Sequence, residues 1–377
     1  MLAGLATLFL ALGAAGLFGV KPRWLPPGML LIYWLPSWLG QSLAAQIMVA
    51  SAIIAGLGEG TAQVIAVLAT VVLFVVHLRN RRDGQAVMAA VKLEERLPVT
   101  AGFCPFSSRH GIKRIQGVAY AQGGERNTLD IITSSDAPTE DARVLIHIPG
   151  GAWVTGKRNQ QARPLIHHLA RNGWVCVDIN YRLGPRNRFP AMLTDVLRAI
   201  AWVKTHIAVY GGDPGRIVLT GGSAGGHLTA LAALAHDRDE AKPGFEGVDC
   251  AVRAAVALYG RYDFIDRNRL WGRNHDKLIQ FAAEKIMPRD AGPQLWDLAS
   301  PIAQVRGDGP PLLVIHGRHD TLLPSEEADL FADAQRAAGG KVDGVTLSGG
   351  QHAYDMLESA MTVGHMRAVR HWLESRM

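Results

Sequence analysis

Arg216-Ile-Val-Leu-Thr-Gly-Gly-Ser-Ala-Gly-Gly-His227 is the stretch on which the reading of this chain turns. Residues 217–220 form a short β-branched and aliphatic run, the pattern of a buried strand. The run passes directly into Gly221-Gly222-Ser223-Ala224-Gly225, a match to G-x-S-x-G, and residues 228–235 then read as an apolar helix. Strand, tight turn and helix in that order place a serine hydroxyl at the tip of a strained turn. Side chains beside that serine would collide with the neighbouring strand and helix, so glycine stands at 221 and 225, and Gly222 and Gly226 loosen the turn further. The first turn of the helix aims unpaired N–H groups, and the positive end of its dipole, at any charge forming there. The pentapeptide alone also fits an ordinary glycine-rich turn with an incidental serine. The remainder of the chain separates the two.

On both sides of this stretch the pattern alternates between short strands and helices. Residues 117–120 and 128–133 read as early strands, 143–148 and 175–179 as aliphatic ones, and 161–172 and 191–210 as helices. After the serine come strands at 254–258, 312–315 and 345–347, and helices at 325–338 and 360–375. Nearly continuous aliphatic strands alternating with helices imply an α/β fold, a mostly parallel central sheet with helices on both faces.

The N-terminal part has a different character. Residues 1–78 carry only Lys21, Arg23 and Glu59 as formal charges. Residues 1–20 are an uncharged apolar run about long enough to span a bilayer, and 40–57 and 61–78 are two further candidates. Pro26, Pro27 and Pro36 interrupt residues 24–39, where Trp24, Tyr33, Trp34 and Trp38 suit a membrane interface. A shorter span over 29–39 is a fourth candidate. Lys21 and Arg23 follow the first run, and Arg79, Arg81 and Arg82 follow the third. With three spans both clusters face one side, which the positive-inside tendency makes cytoplasmic. The alternative is a buried helical hairpin. The expected organisation is therefore a multi-pass membrane region at 1–82, a connector at 83–115 with Val87, Val91 and Leu97 at roughly helical spacing, and a catalytic domain at 116–377 on the cytoplasmic side.

Composition narrows the classes. The chain has 377 residues, 48% of them hydrophobic and 19% charged, and a net charge of +6. No basic run interleaves with aromatics, so nucleic acid is not an expected partner. Cys104, Cys176 and Cys250 are odd in number and far apart, giving neither a disulfide framework nor a metal site. No H-E-x-x-H and no P-loop is present, so no metal and no cofactor is expected.

Several further pieces accompany the serine in a fixed order: Ile148-Pro-Gly-Gly-Ala-Trp153, Asp178-Ile-Asn-Tyr-Arg-Leu183, Phe189-Pro-Ala, Tyr210-Gly-Gly-Asp-Pro214, His316-Gly-Arg-His-Asp320 and Gln351-His352. With them, residues 116–377 resemble an α/β-hydrolase of the esterase and lipase kind, close to the hormone-sensitive-lipase-like group. The apolar N-terminus followed by this domain also resembles membrane-anchored bacterial carboxylesterases and prenylcysteine methylesterases.

The resemblance implies roles. A serine hydroxyl is a weak nucleophile at neutral pH and needs a base. His352, in a turn after the last strand, stands where the family's histidine does, ahead of His316, His319, His365 and His371. Asp320 follows the strand at 312–315 and would orient the imidazole. Asp263, after the preceding strand, is the alternative, or else a loop cap. The oxyanion hole would use the amides of Ala224, Gly150, Gly151 and Ala152, and Trp153 would border the substrate pocket. Pro149 and Ala152 depart from the family's His-Gly-Gly-Gly loop, which bears on loop support and on room for crowded alcohols. His227 is expected to pack or cap, and Asp195 to pair with Arg182 or Arg198. The expected activity is hydrolysis of a small or lipid-like carboxylic ester through an acyl-enzyme on Ser223. An amidase, an arylformamidase, an acyltransferase with the same residues, or a non-catalytic binding module are the alternatives. Residues 261–300 occupy the usual place of a lid or acyl-pocket insertion.

Overall fold

Strands form where the aliphatic runs lie. The computed structural model describes residues 1–136 and 140–377. It contains β1 (Ile112–Ala119), β2 (Thr128–Ser134), β3 (Ala142–Ile148), β4 (Val175–Ile179), β5 (Gly212–Gly222), β6 (Ala254–Leu258), β7 (Leu312–Gly317) and β8 (Val342–Leu347). They make one sheet in the order β1-β2-β4-β3-β5-β6-β7-β8. Only β2 runs against its neighbours β1 and β4; the pairs β3–β4, β3–β5, β5–β6 and β6–β7 are parallel. The helices are α1 (Leu2–Leu17), α2 (Pro27–Ser42), α3 (Ala44–Leu57), α4 (Gly60–Ala90), α5 (Arg163–Arg171), α6 (Ala191–His206), α7 (Ala224–Leu234), α8 (His275–Lys285), α9 (Pro293–Leu298), α10 (Glu326–Ala337) and α11 (Ala360–Glu374).

The chain divides into two compact units. One comprises Ser108–Ile315, Glu326–Val345 and Leu373–Met377; the other comprises Met1–Ser107, His316–Ser325 and Thr346–Trp372. The first holds most of the sheet. Its core is the buried aliphatic faces of β3 to β7 packed with α6 and α7, including Ile146, Val177, Leu219, Leu197 and Leu231. After β3 the chain crosses to β4 on one side, then to β5 on the other. That reversal falls between β3 and β5, whose carboxyl ends are where ligands collect in open sheets of this type. Residues 261–300 contain α8 and α9 and are pinned to α10: Arg261 Nη1 lies 3.1 Å from Glu327 Oε1, and the Trp271 indole donates to the same oxygen at 3.1 Å.

The second unit gathers the apolar N-terminal segment with the chain after β7 and after β8. Here the structure revises several boundaries. Helix α4 runs to Ala90, so it contains the 61–78 span candidate and continues into the residues whose spacing was read as roughly helical. Its last turns bury Asp83, Val87 and Met88, so packing carries the helix beyond its apolar run. Pro36 lies inside α2, and Pro27 sits at the first helical turn, where proline is tolerated. Among the described residues, α4 is the one unbroken helix long and apolar enough to cross a membrane; α2 and α3 pass that test only as a pair bent by 76°, and α1 has 16 residues. Arg79 donates to the carbonyls of Gly16 and Leu17, satisfying the C-terminal end of α1.

Candidate active site

The first unit builds the turn that carries Ser223. β5 ends at Gly222 and α7 begins at Ala224, so Ser223 alone makes the reversal, with φ 59° and ψ −122°. A side-chain-bearing residue in that region stores strain of about 1–3 kcal/mol. Backbone bonds hold it there: Ser223 N donates to the Leu258 carbonyl at 3.0 Å, and His227 N donates to the Ser223 carbonyl at 3.0 Å. A Cβ at Gly225 would lie 2.0 Å from the Ile148 carbonyl oxygen, and one at Gly221 would lie 2.6 Å from the same atom. The expectation that side chains at 221 and 225 cannot fit is therefore met by backbone, which cannot swing aside.

Ala224 is the first residue of α7, so its N–H has no acceptor within the helix. The loop after β3 lies against the serine: a Cβ built on Gly150 would stand 3.1 Å from the Ser223 Cβ. Gly151, Ala152 and Trp153 all have positive φ, at 129°, 51° and 60°. This bend is closed by Val154 N and Thr155 N, both donating to the Gly151 carbonyl. Gly150 N already donates to Gln161 Oε1 at 2.7 Å. Of the four amides expected to bind an oxyanion, that one is engaged in supporting the loop.

Trp153 is buried, and its indole donates to His227 Nδ1 at 3.1 Å. His227 Nε2 in turn contacts the Ala299 carbonyl at 2.8 Å, which makes Nε2 the protonated nitrogen of a neutral ring. Burial, reinforced by nearby Arg261 and opposed by the Ala299 carbonyl, lowers the His227 pKa from 6.5 to about 3. Phe264 completes the cluster, with centroids 5.1 Å from Trp153 and 4.9 Å from His227. His227 thus locks α7 to the β3 loop, in keeping with the packing role expected of it. Asp195 takes Arg182 in a two-pronged pair at 2.8 Å.

The second unit carries Asp320 and His352, the residues expected as acid and base. Asp320 Oδ2 accepts from His352 Nδ1 at 2.7 Å and lies 3.0 Å from His316 Nε2. Its other oxygen accepts from the amides of Leu322 and Leu323, each at 2.8 Å. Burial alone would raise this carboxyl, but His352 and His316 outweigh it and hold Asp320 well below the usual carboxylate range. Donation by Nδ1 fixes the His352 tautomer with its lone pair on Nε2. The competing Asp263 accepts from Arg267 N at 2.6 Å and from the Arg267 guanidinium, capping its own loop. His365 is buried and His319 half-buried, and desolvation lowers both to about 4. His316 is a partner of Asp320 that the sequence offered only as a competitor for the base. Gln351, quoted beside His352 but given no role, accepts from Thr321 N and from His352 N, both at 2.9 Å.

Comparison with known proteins agrees with this architecture. The sequence profile of the BD-FAE family matches residues 129–334, more than half of the chain. The probable carboxylic ester hydrolase LipM of Mycobacterium tuberculosis is 45% identical over 260 residues, 68% of this chain and 60% of its own length. The isoprenylcysteine alpha-carbonyl methylesterase ICME of Arabidopsis thaliana is 29% identical over 248 residues, 63% of this chain and 56% of its own. Among solved structures, a thermophilic esterase from Thermogutta terrifontis matches 70% of this chain and 90% of its own at 23% identity, with a TM-score of 0.55. That likeness shows the α/β-hydrolase fold. The chain spans about 60% of the length of the mycobacterial relatives it matches.

Proposed function

The chain belongs to the BD-FAE family, and from that membership and the geometry above we propose that it hydrolyses carboxylic esters through an acyl-enzyme on Ser223. The observation that carries this reading is the Ser223 backbone, held at positive φ between β5 and α7. Serine there would otherwise be a needless cost, since glycine makes the same turn without strain. In the proposed cycle His352 Nε2 takes the Ser223 proton as Oγ attacks the carbonyl carbon. The amides of Gly151, Ala152 and Ala224 receive the oxyanion. The C–O bond to the alcohol breaks as His352 returns the proton to it. Water, deprotonated by His352, then attacks the acyl carbon and releases the acid and Ser223. Asp320 keeps the imidazole tautomer fixed and stabilises the imidazolium.

Ester hydrolysis is favoured over amide cleavage or acyl transfer by the relatives, whose names specify ester hydrolases and a methylesterase. Residues 1–82 are proposed to attach the protein to a membrane. Support comes from α4 and from the apolar side chains it exposes, among them Val64, Leu68, Val71, Phe74 and Val75. An attached enzyme suits an amphiphilic ester, one that partitions to the bilayer. Arg79, Arg81 and Arg82 at the end of the apolar run favour a cytoplasmic catalytic part in this reading.

Detergent-solubilised protein tests the reading with p-nitrophenyl esters of increasing chain length. Wild type is expected to turn over, and Ser223→Ala and His352→Ala to lose roughly five to six orders of magnitude in kcat. Equal activity of Ser223→Ala and wild type would end it. Washing membranes with alkaline carbonate tests attachment: the protein should stay in the pellet, and release into the wash would contradict it. A reporter fused after Arg82 and active only outside the cytoplasm would overturn the orientation.

A further inference from the structure

We infer that helix α2 is a positioning element of the catalytic machinery, because its side chains hold the loop that carries His352. This rests on His352 being the base of the proposed reaction.

Residues 348–353 follow β8 and form no regular structure. A loop of this kind would sample many conformations, and Ala353 sits at φ 61°, which its Cβ disfavours. Yet its carbonyls and amides are claimed one after another by side chains from more than 250 residues away. Trp34 Nε1 donates to the His352 carbonyl at 3.0 Å, and Trp38 Nε1 donates to the Ala353 carbonyl at 2.8 Å. Gln41 grips with both ends of its amide: Oε1 accepts from Gln351 N at 2.7 Å, and Nε2 donates to the Gly349 carbonyl. Ser37 Oγ accepts from Gln351 Nε2 at 2.8 Å. These four residues recur at spacings of three and four, so they lie on one face of α2. From α4, Asp83 accepts from Ser348 N at 2.9 Å and from Gly349 N at 2.8 Å.

The grip reaches the acid as well. Gln351 Oε1 binds both Thr321 N and His352 N, so one side chain ties the residue after Asp320 to the base itself. Ser37 and Gln41 fix Gln351 from the other side. Ser37 and Gln41 are 1% exposed, inside a helix with no charged residue. A buried amide is expensive unless both its donor and its acceptor are met, and here both are. Anchoring alone needs none of these polar groups. Holding a catalytic loop accounts for all of them.

The test compares Gln41→Leu and the double variant Trp34→Phe, Trp38→Phe with Ser51→Ala, all in the full-length protein. Ser51 is buried and donates to the Ala66 carbonyl at 2.9 Å, away from the loop. It reports the effect of losing an N-terminal hydrogen bond as such. Gln41→Leu is expected to speed amide hydrogen exchange across residues 348–354. It should also lower kcat roughly tenfold to hundredfold with KM within about twofold, the cost of a misplaced catalytic group. The double variant should do the same to a smaller degree. Ser51→Ala should leave both readouts unchanged. Unchanged exchange at 348–354 in Gln41→Leu would overturn the grip, and faster exchange with unchanged kcat would overturn its catalytic role. A wild type that hydrolyses no ester would instead overturn the reading on which this rests, while the exchange comparison still reports whether α2 holds the loop.

Discussion

The turn at Ser223 and the loop at His352 meet the same need, a side chain held still at a strand end, by opposite means. The serine turn is made from backbone. Its partners are the Leu258 carbonyl of β6 and the His227 amide of α7, and it requires glycine at 221, 225 and 226, where a Cβ would meet backbone. The histidine loop is held by side chains: Asp83, Gln351, Gln41, Trp34 and Trp38. Backbone support is local, rigid and written in consecutive residues. Side-chain support is assembled across the chain and can be removed piece by piece.

Substitutions can break that contrast. Beyond the proposed nucleophile and base, the largest effect on rate is expected at Asp320. Asp320→Asn keeps the size of the group but removes the charge that fixes the His352 tautomer, so kcat should fall by about four orders of magnitude. Thermal stability at neutral pH should change far less than rate. An Asp320→Asn enzyme within tenfold of wild type would point to another acid. At the serine turn the order reverses, and folding fails first. Gly225→Ala drives a methyl into the Ile148 carbonyl, and the cost should be on the order of 3 kcal/mol or more. Soluble, fully stable Gly225→Ala protein would show that the turn can relax. Away from both, Glu327→Ala would strand Arg261, which is 2% exposed, and should cost about 3–5 kcal/mol in unfolding free energy. A melting curve matching wild type would show that residues 261–271 are not pinned by α10.

A smaller effect follows from the buried imidazoles. His227 is held at about 3 and His167, His319 and His365 at about 4, in each case first by burial. Unfolded, each titrates near 6.5. Below that value the unfolded chain binds protons that the fold does not, so stability rises with pH between about pH 4 and 6.5. Asp320 acts lower: its depressed pKa gives stability that is present above the ordinary carboxylate value near 4 and lost as pH falls below it. Thermal midpoints should therefore drop steadily from about pH 7 to pH 4. A flat profile would show these rings are not kept neutral in the fold.

The same contrast explains what could be read from sequence. The strands and the serine turn are legible in short-range patterns, aliphatic runs and paired glycines that a dozen residues display, whereas the expectations for Asp320 and His352 come from the family resemblance. The role of Gln41 is legible in neither, because nothing at 349–352 signals a partner near position 40. The one available hint was chemical: a glutamine and a serine within an otherwise apolar helix, where polar groups are costly. Helix α4 is a related case: the arginines after 78 end the apolar run, but packing of Val87 and Met88 carries the helix past them, and Arg79 satisfies the end of α1.

The most direct measurement is to treat the full-length protein with a fluorophosphonate and map the adduct by peptide mass spectrometry. A single adduct on Ser223 is expected in wild type, none in Ser223→Ala, and one forming far more slowly in His352→Ala. An adduct elsewhere, or labelling of Ser223 at an undiminished rate without His352, would contradict the account.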